Sequence, residues 1–227
     1  MIKKALVVLI FMTCFLIAEE ANTPWNGKID DFENGNITEK PAWWTFGNSE
    51  QKVVESDVFS KDPLFKYLGR YVLEVKGNAK DWYVGGMGCY LGVDATPFTH
   101  VKLYVYGTGP DSGKLTLQLY DDDNGNYQLE QDVNKNYEPI NDDRFEYSAN
   151  INWKGWKVLL IPISSFKDTN KTVGDNTWNP DHKNGSGGLL HFQFIFLANT
   201  KTGSVNFSID NIKLIDMRGK KGDSDEK

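Results

Sequence analysis

The sequence predicts an all-β fold, a β-sandwich or jelly roll of about ten antiparallel strands. Short segments alternate polar and apolar residues, which is the period of a half-buried strand. Glycine and asparagine turns separate these segments, and no window carries an apolar stripe of helical length and spacing. The chain has 227 residues, enough for one domain with a full hydrophobic core.

The predicted strands follow one another along most of the chain. They are Lys28–Glu33, Gln51–Ser56, Arg70–Lys76, Tyr83–Leu91, Thr99–Tyr106, Lys114–Tyr120, Tyr127–Gln131, Arg144–Asn150, Trp156–Pro162, Leu189–Leu197 and Ser204–Ile215. Residues 123–126, Asp-Asn-Gly-Asn, are typical of a hairpin tip, so Tyr127–Gln131 is expected to return beside Lys114–Tyr120. At most one helical turn is expected, at Ser164–Phe166, and residues 166–188 read as a long loop.

The two ends of the chain differ from the expected domain at residues 28–216. Residues 1–18 combine Lys3 and Lys4 with an apolar run and predict a secretory signal peptide. The run is too short to cross ~30 Å of hydrocarbon comfortably; a retained anchor and lipidation of Cys14 are the alternatives. Residues 19–27 read as a linker and residues 217–227 as a charged disordered tail.

Charge and cysteine content exclude several classes of protein. The formal net charge is −6, which argues against nucleic-acid partners and against docking on an anionic membrane. Aromatic residues make up 13% of the chain, which argues against disorder. After signal removal Cys89 stands alone in an apolar context, so we expect a buried thiol and no disulfide.

The sequence carries no recognisable catalytic motif, and we predict a protein that is not an enzyme. The three histidines lack metal-ligand spacing, and His191 is expected to be a packed or edge residue of its strand. No nucleophile elbow, phosphate loop or dinucleotide fingerprint occurs. A hydrolase with acidic residues on a groove rim stays open as an alternative.

Aromatic and amide side chains are expected on the outward faces of several strands. Sugar rings present C–H faces that stack on aromatic rings, and hydroxyls that bond to amides and carboxylates. The residues that fit this chemistry are Tyr104, Tyr106, Gln118, Tyr120, Tyr127 and Gln128. The alternative is that loops or a second layer cover this face.

Three stretches resemble a family 11 carbohydrate-binding module of the galactose-binding-like jelly-roll group. They are Ile29–Glu33, Trp156–Phe166 with its Ser-Ser-Phe corner, and Leu189–Gly203 with the closing Ile209–Ile215. The resemblance implies a non-catalytic module that binds a β-glucan chain in a concave groove and holds calcium. Leu197 and Lys167-Asp168 stand where the family has a groove tyrosine and a run of arginines.

The resemblance also implies particular site residues. Residues 80–83 resemble a turn of the family in which an aromatic ring stacks on sugar, and this points to Trp82 and Tyr83. Trp44 is expected in an aromatic-bearing loop, with one tryptophan of the pair at 43–44 in the core. Asp123 matches a hydroxyl-binding aspartate, although residues 122–123 also suit a plain hydrophilic hairpin tip.

Calcium is the cofactor that the resemblance implies. Glu33 in the first strand and Asp210 in the last are expected to share a structural ion with the help of Asp31, since calcium takes converging oxygen ligands. The alternative is solvated acids near a strand edge. The six residues from Asp121 to Asn126 do not match a helix-loop-helix calcium loop in register, and no site is assigned there.

These observations predict an exported, non-catalytic carbohydrate-binding protein, secreted or held in the periplasm or cell envelope, with a polysaccharide as its partner. The alternative is a structural or assembly protein of the cell envelope, of the sheath or filament-coat type, built on the same fold.

Overall fold

The computed structural model describes residues 24–135 and 137–219 and shows an all-β sandwich. The predicted fold class is therefore confirmed. The predicted signal peptide and most of the predicted charged tail lie outside the described residues. Within residues 24–135 and 137–219, no helix has the length and apolar character needed to cross a membrane.

Fourteen strands are present in the described part of the chain. They are β1 Lys28–Asp30, β2 Trp43–Gly47, β3 Ser49–Glu55, β4 Tyr71–Asn78, β5 Tyr83–Val93, β6 His100–Thr108, β7 Gly113–Asp121, β8 Gln131–Asp132, β9 Glu138–Pro139, β10 Asp143–Ile151, β11 Lys154–Pro162, β12 Lys167–Asp168, β13 Leu189–Leu197 and β14 Ser204–Ile215. Short 3₁₀ helices occupy Ser56–Phe59, Phe65–Tyr67, Val133–Lys135 and Ile163–Ser165, the last close to the predicted helical turn.

The strands form two six-stranded antiparallel sheets and one small two-stranded sheet. The back sheet has the order β11-β6-β14-β4-β3, with β1 paired to β14. The front sheet has the order β12-β10-β7-β13-β5-β2. Strands β8 and β9 pair only with each other.

The core lies between the two sheets and follows the predicted alternation. The inward residues of β6 and β7 are aliphatic, and those of β13 are Phe192, Phe194 and Phe196, all fully buried. Cys89 is also fully buried, as expected. Each residue between these inward positions points to the outer face of its sheet.

Two predictions of strand structure are wrong. Residues 127–130 are not a strand returning beside β7, because β10 and β13 already occupy both edges of β7. The segment after the 123–126 turn instead leads to the small pair β8 and β9. The expectation that Trp44 lies in a loop is also wrong, because residues 43–47 form strand β2, which adds an edge to the front sheet beside β5.

The outer face of the back sheet is covered by the chain between β3 and β4. Residues 56–69 lie over this face, and their Phe59, Leu64 and Leu68 pack in a second apolar cluster with Tyr104, Tyr106 and others. Tyr106 stacks against Phe59 with ring centroids 4.6 Å apart, and Tyr104 is buried. The expectation that these two tyrosines share a face with Gln118 and Tyr120 is wrong, because β6 and β7 belong to different sheets.

A buried hydrogen bond connects β1 to the front sheet. Trp43 Nε1 donates to Asp30 Oδ2 at 2.7 Å, and Phe32 N donates to the other oxygen at 2.8 Å. Burial raises the pKa of Asp30 above its usual value, while these two hydrogen bonds lower it. The indole therefore satisfies a carboxylate that has little access to water.

We expect Trp43→Phe to lower the free energy of unfolding by about 1–3 kcal/mol, because it leaves a buried carboxylate oxygen without its donor. Urea denaturation measures this loss. Trp153→Phe is the matched control, since its Nε1 donates to Val105 O at a longer 3.3 Å in a partly buried site. Equal losses in the two variants would contradict the role given to the Asp30 bond.

Candidate functional site

The outer face of the front sheet presents side chains in ordered rows across its strands. On β13 this face carries His191, Gln193, Ile195 and Leu197, between the buried phenylalanines. Strand register places Tyr120 and Tyr90 beside His191, and Gln118 beside Gln193. Apart from the second cluster on the back sheet, no apolar cluster covers an outer face among the described residues.

A row of polar groups crosses the centre of this face. Gln193 Nε2 donates to Gln118 Oε1 at 2.6 Å, and Gln118 Nε2 donates to Glu146 Oε1 at 2.6 Å. Arg144 Nε forms an ion pair with the same Glu146 oxygen at 2.9 Å. Tyr120 OH donates to Gln118 Oε1 at 2.9 Å. These bonds fix the orientation of the amides, so that their remaining donors and acceptors are set in advance.

The same row ends in the Trp44 indole, which lies on the backbone of Gly88. A Cβ on Gly88 would lie 2.5–3.0 Å from three atoms of that ring, so glycine is what lets the indole approach the sheet. Trp44 is 37% exposed, whereas its neighbour Trp43 is in the core. This arrangement places an exposed aromatic ring next to a line of oriented amides.

Further rings surround His191. Its ring centroid is 4.9 Å from that of Trp44, 5.8 Å from that of Tyr90 and 5.9 Å from that of Tyr120. Loss of solvation lowers the pKa of His191 to about 4, so the imidazole is neutral at pH 7. His191 is thus a packed strand residue, as the sequence predicted, and it holds Trp44 in place.

Tyr120 and Gln118 are much less exposed to solvent than Trp44 and Tyr90. Tyr120 is 1% exposed and Gln118 is 7% exposed, so neither offers much surface to a ligand. Their contribution is to orient Gln193 and Glu146, which are more accessible. Tyr90, 48% exposed and absent from the candidate residues chosen by sequence, supplies an open ring instead. Its outward position in a glycine-rich strand was the signal that could have identified it.

Trp82 and Tyr83 lie at the far end of the front sheet. Lys80 and Tyr83 form an isolated bridge around Asp81 and Trp82, and these two residues have positive φ angles of 56° and 75°. A left-handed tryptophan is unusual and is maintained by its backbone, since Ala198 N donates to Trp82 O at 2.8 Å. Trp82 is 45% and Tyr83 38% exposed.

Tyr127 and Asp123 lie beyond the opposite end of β7. Tyr127 is 45% exposed, packs its ring edge-on to His182 at 5.6 Å, and donates its N–H to Asp122 Oδ2. Asp123 is half-buried and accepts a hydrogen bond from Asp143 N at 2.8 Å. The structure thus brings Trp44 together with Gln118 and Tyr120, and leaves the other candidates at the two ends or on the back sheet.

The three acids expected to bind calcium lie near one another, but their oxygens already have donors. Glu33 accepts the N–H groups of Arg70 and Tyr71, both at 3.0 Å, and Asp210 accepts Asn211 N at 2.7 Å. Asp31 forms an ion pair with Lys28 at 2.5 Å. Burial raises the pKa of Asp210 to about 8, with smaller contributions from the charges of Glu33 and Asp31. Calcium binding by this group stays a prediction.

A different acidic cluster could hold a metal ion. Single carboxylate oxygens of Asp123, Asp143 and Asp175 lie within 4.8 Å of one another. Burial raises the pKa of Asp123 to about 7 and that of Asp143 to about 6, with neighbouring carboxylates adding to the effect. Sequence reasoning missed this cluster because its members come from three separate segments.

Comparison with solved structures supports the fold. A family 11 carbohydrate-binding module from Clostridium thermocellum, in complex with a β-1,3-1,4-mixed-linked tetrasaccharide, is 21% identical with a TM-score of 0.52, over 84% of this chain and 95% of that one. The solution structure of CtCBM11 is 18% identical with a TM-score of 0.50, over 83% and 94% of the two chains. No protein-family model and no curated protein matches the chain.

The expected similarity to family 11 modules is therefore confirmed at the level of the fold. That this chain is not an enzyme stays a prediction.

We expect Gly88→Ala to destabilise the protein by about 1–3 kcal/mol, because the new methyl group displaces the Trp44 indole. In a Trp44→Ala background the same change should cost much less, since the ring is gone. A double-mutant cycle by urea denaturation measures the coupling. Strictly additive losses would show that the indole does not lie on Gly88.

A second prediction concerns His191 and pH. Its folded pKa of about 4 lies below the ordinary value of 6.5, so the unfolded chain binds more protons between these values. The free energy of unfolding should therefore fall in this window as the pH is lowered, relative to His191→Gln. Thermal melts of both proteins from pH 7 to pH 5 test this, and parallel curves would contradict it. Both proteins contain the same carboxylates, so the effect of their titration cancels when the stability of one protein is subtracted from that of the other.

Proposed function

We propose that the protein binds carbohydrate without catalysis, on the outer face of the front sheet. The observation that carries this proposal is the row in which the exposed Trp44 ring continues the line of Gln193, Gln118 and Glu146. A sugar ring needs an aromatic surface for its C–H face and oriented hydrogen-bonding groups for its hydroxyls at the same place. This row offers both, and its amides are oriented before a ligand arrives.

The spacing of the exposed aromatic rings along β5 supports an extended polysaccharide as the ligand. Trp82 and Tyr83 lie at one end of β5 and Tyr90 near the other, with Trp44 beside Gly88 between them. Tyr90 follows Tyr83 by seven positions, which corresponds to roughly 23 Å along an extended strand. Rings spaced over such a length suit several consecutive sugars of one chain better than a single monosaccharide.

A β-glucan is the class of ligand that we propose. Its equatorially linked units form flat ribbons whose faces are suited to stacking on Trp44 and, further along, on Trp82 or Tyr83. The sequence resemblance to family 11 modules points in the same direction. Tyr127 and Asp123 extend the proposed surface beyond the other end of β7.

Export and calcium complete the proposal. The apolar run at residues 5–17 behind Lys3 and Lys4 is typical of a signal peptide, which would bring the protein to polysaccharides outside the cytoplasm or in the cell envelope. For calcium we retain the group of Asp31, Glu33 and Asp210, in which Asp210 is fully buried with two other carboxylates close by. The ion would have a structural role there, on the side of the sandwich away from the proposed face.

Calorimetric titration with mixed-linkage β-glucan and with cello-oligosaccharides tests the function. We expect the mature protein to bind, and Trp44→Ala to weaken binding by roughly fivefold or more, because loss of one stacked ring removes about 1 kcal/mol or more. Trp82→Ala should weaken binding to long chains more than to short ones. Absence of heat with every glucan, from a folded protein, would contradict the proposed ligand class.

Tyr67→Ala is the matched control. Tyr67 is 40% exposed, close to the 37% of Trp44, but it belongs to the segment that covers the back sheet. Its replacement should leave glucan affinity unchanged. Equal weakening by Tyr67→Ala and Trp44→Ala would place the binding surface elsewhere.

A further inference from the structure

The acidic cluster forms where three segments meet at one end of the sandwich. Asp121 is the last residue of β7 and Asp143 the first of β10, and the two are direct partners in the sheet. Asp123 follows β7 after one residue, and Asp175 comes from the long loop between β12 and β13. No ion pair reaches any of these four acids from the described residues.

Two of these carboxylates have buried oxygens without hydrogen-bond partners. Asp143 and Asp121 are both 0% exposed, and Asp143 Oδ1 and Asp121 Oδ1 have no donor. A buried charged oxygen without a partner is strongly unfavourable, so a native site of this kind calls for a bound cation or another ligand. The other oxygen of each does have a donor, namely Thr177 N for Asp143 and Asn179 N for Asp121.

The unpartnered oxygen of Asp143 faces the space that the cluster encloses. A Cβ built on Gly174 would overlap both Asp143 Oδ1 and Asp123 Oδ2. Gly174 has a φ of 68°, so the loop passes the carboxylates in a left-handed turn without a side chain. The loop thus approaches the oxygens closely while Asp175 adds its own carboxylate from the same segment.

The chemistry of these ligands points to calcium. Only oxygen atoms converge, which suits a hard cation rather than zinc or copper. Calcium–oxygen distances are about 2.3–2.6 Å, so two ligands on opposite sides of the ion lie about 5 Å apart. The three oxygens lie within 4.8 Å of one another, which is close enough for them to share one ion. Magnesium requires shorter distances and near-octahedral geometry, which an irregular group from three segments does not favour.

We propose that Asp123, Asp143 and Asp175 bind a Ca²⁺ ion beside Asp121, and that the ion fastens the loop at 169–188 to the ends of β7 and β10. The loop already closes this end of the core, because Trp178 packs edge-on against Phe145 at 5.4 Å. The ion would neutralise the carboxylates that now lack a partner. This site is separate from Asp31, Glu33 and Asp210. It shares Asp123 with the proposed sugar-binding surface, but calcium binding here does not require a bound sugar.

Thermal melts of the mature protein in calcium and in chelator test the site. With calcium at about a hundredfold excess over its Kd, the Tm of the wild type should rise by roughly 5–10 °C over its value in EDTA. In an Asp210→Asn background, which removes the other proposed calcium group, Asp143→Asn should lose most of the remaining rise. In EDTA the Asp143→Asn variant should be as stable as the wild type or more stable, since it removes a buried charge without a partner. Magnesium in place of calcium should give a much smaller rise.

Further variants make the result decisive. Asp175→Asn changes an exposed residue and should still fold, so it tests the site if Asp143→Asn does not fold. Calorimetry should show that this variant binds calcium at least roughly tenfold more weakly than the wild type. Asp111→Asn, in an exposed turn, should behave as the wild type. The proposal is overturned if calcium does not stabilise the wild type, if both cluster variants keep the full rise in Tm, or if only Asp210→Asn removes it.

Discussion

The alternation of side chains along β13 is the constraint on which the arrangement of this protein depends. Phe192, Phe194 and Phe196 all point into the core and contact one another through ring pairs 4.9 and 6.4 Å apart. A shift of one residue in register would expose all three rings and bury Gln193. Burial of the phenylalanines therefore determines that His191 and Gln193 appear on the outer face. The proposed binding surface is the reverse side of the hydrophobic core.

The two outer faces of the sandwich differ because their strands carry outward residues of different size. On the back sheet Tyr104 and Trp156 are large and buried, and the segment at 56–69 brings apolar residues to cover them. Asp62 in that segment accepts a hydrogen bond from Trp156 N at 2.9 Å, which fixes the cover to β11. On the front sheet the corresponding positions of β5 are Gly86 and Gly88, and the space above them is taken by rings from β2. Glycine therefore creates a shallow platform where a larger residue would have created a ridge.

The sequence predicted the fold class and the inward residues well, because alternation is a local property of each strand. In the predicted strand Thr99–Tyr106, Val101, Leu103 and Val105 alternate with Lys102 and Tyr104, and all three are fully buried. The pairing of strands is not local. Consecutive strands pair in most proteins, but β6 and β7 lie in opposite sheets, so Tyr104 and Gln118 were wrongly expected on one surface. Strand β2 escaped prediction because its Trp-Trp-Thr-Phe-Gly sequence does not alternate.

The polar centre of the front face also bears on the alternative of an envelope assembly protein. Protein–protein interfaces deplete charged residues at their centre, where water is excluded, and place them at the rim. Here the Arg144–Glu146 ion pair and two glutamines lie in the row that Trp44 ends, with side chains of the pair only 18% and 24% exposed. A flat protein partner would have to desolvate this network without improving its hydrogen bonds. A sugar chain would add hydroxyl groups to the free positions of the same network, so the geometry favours a hydroxyl-rich ligand over a packing surface.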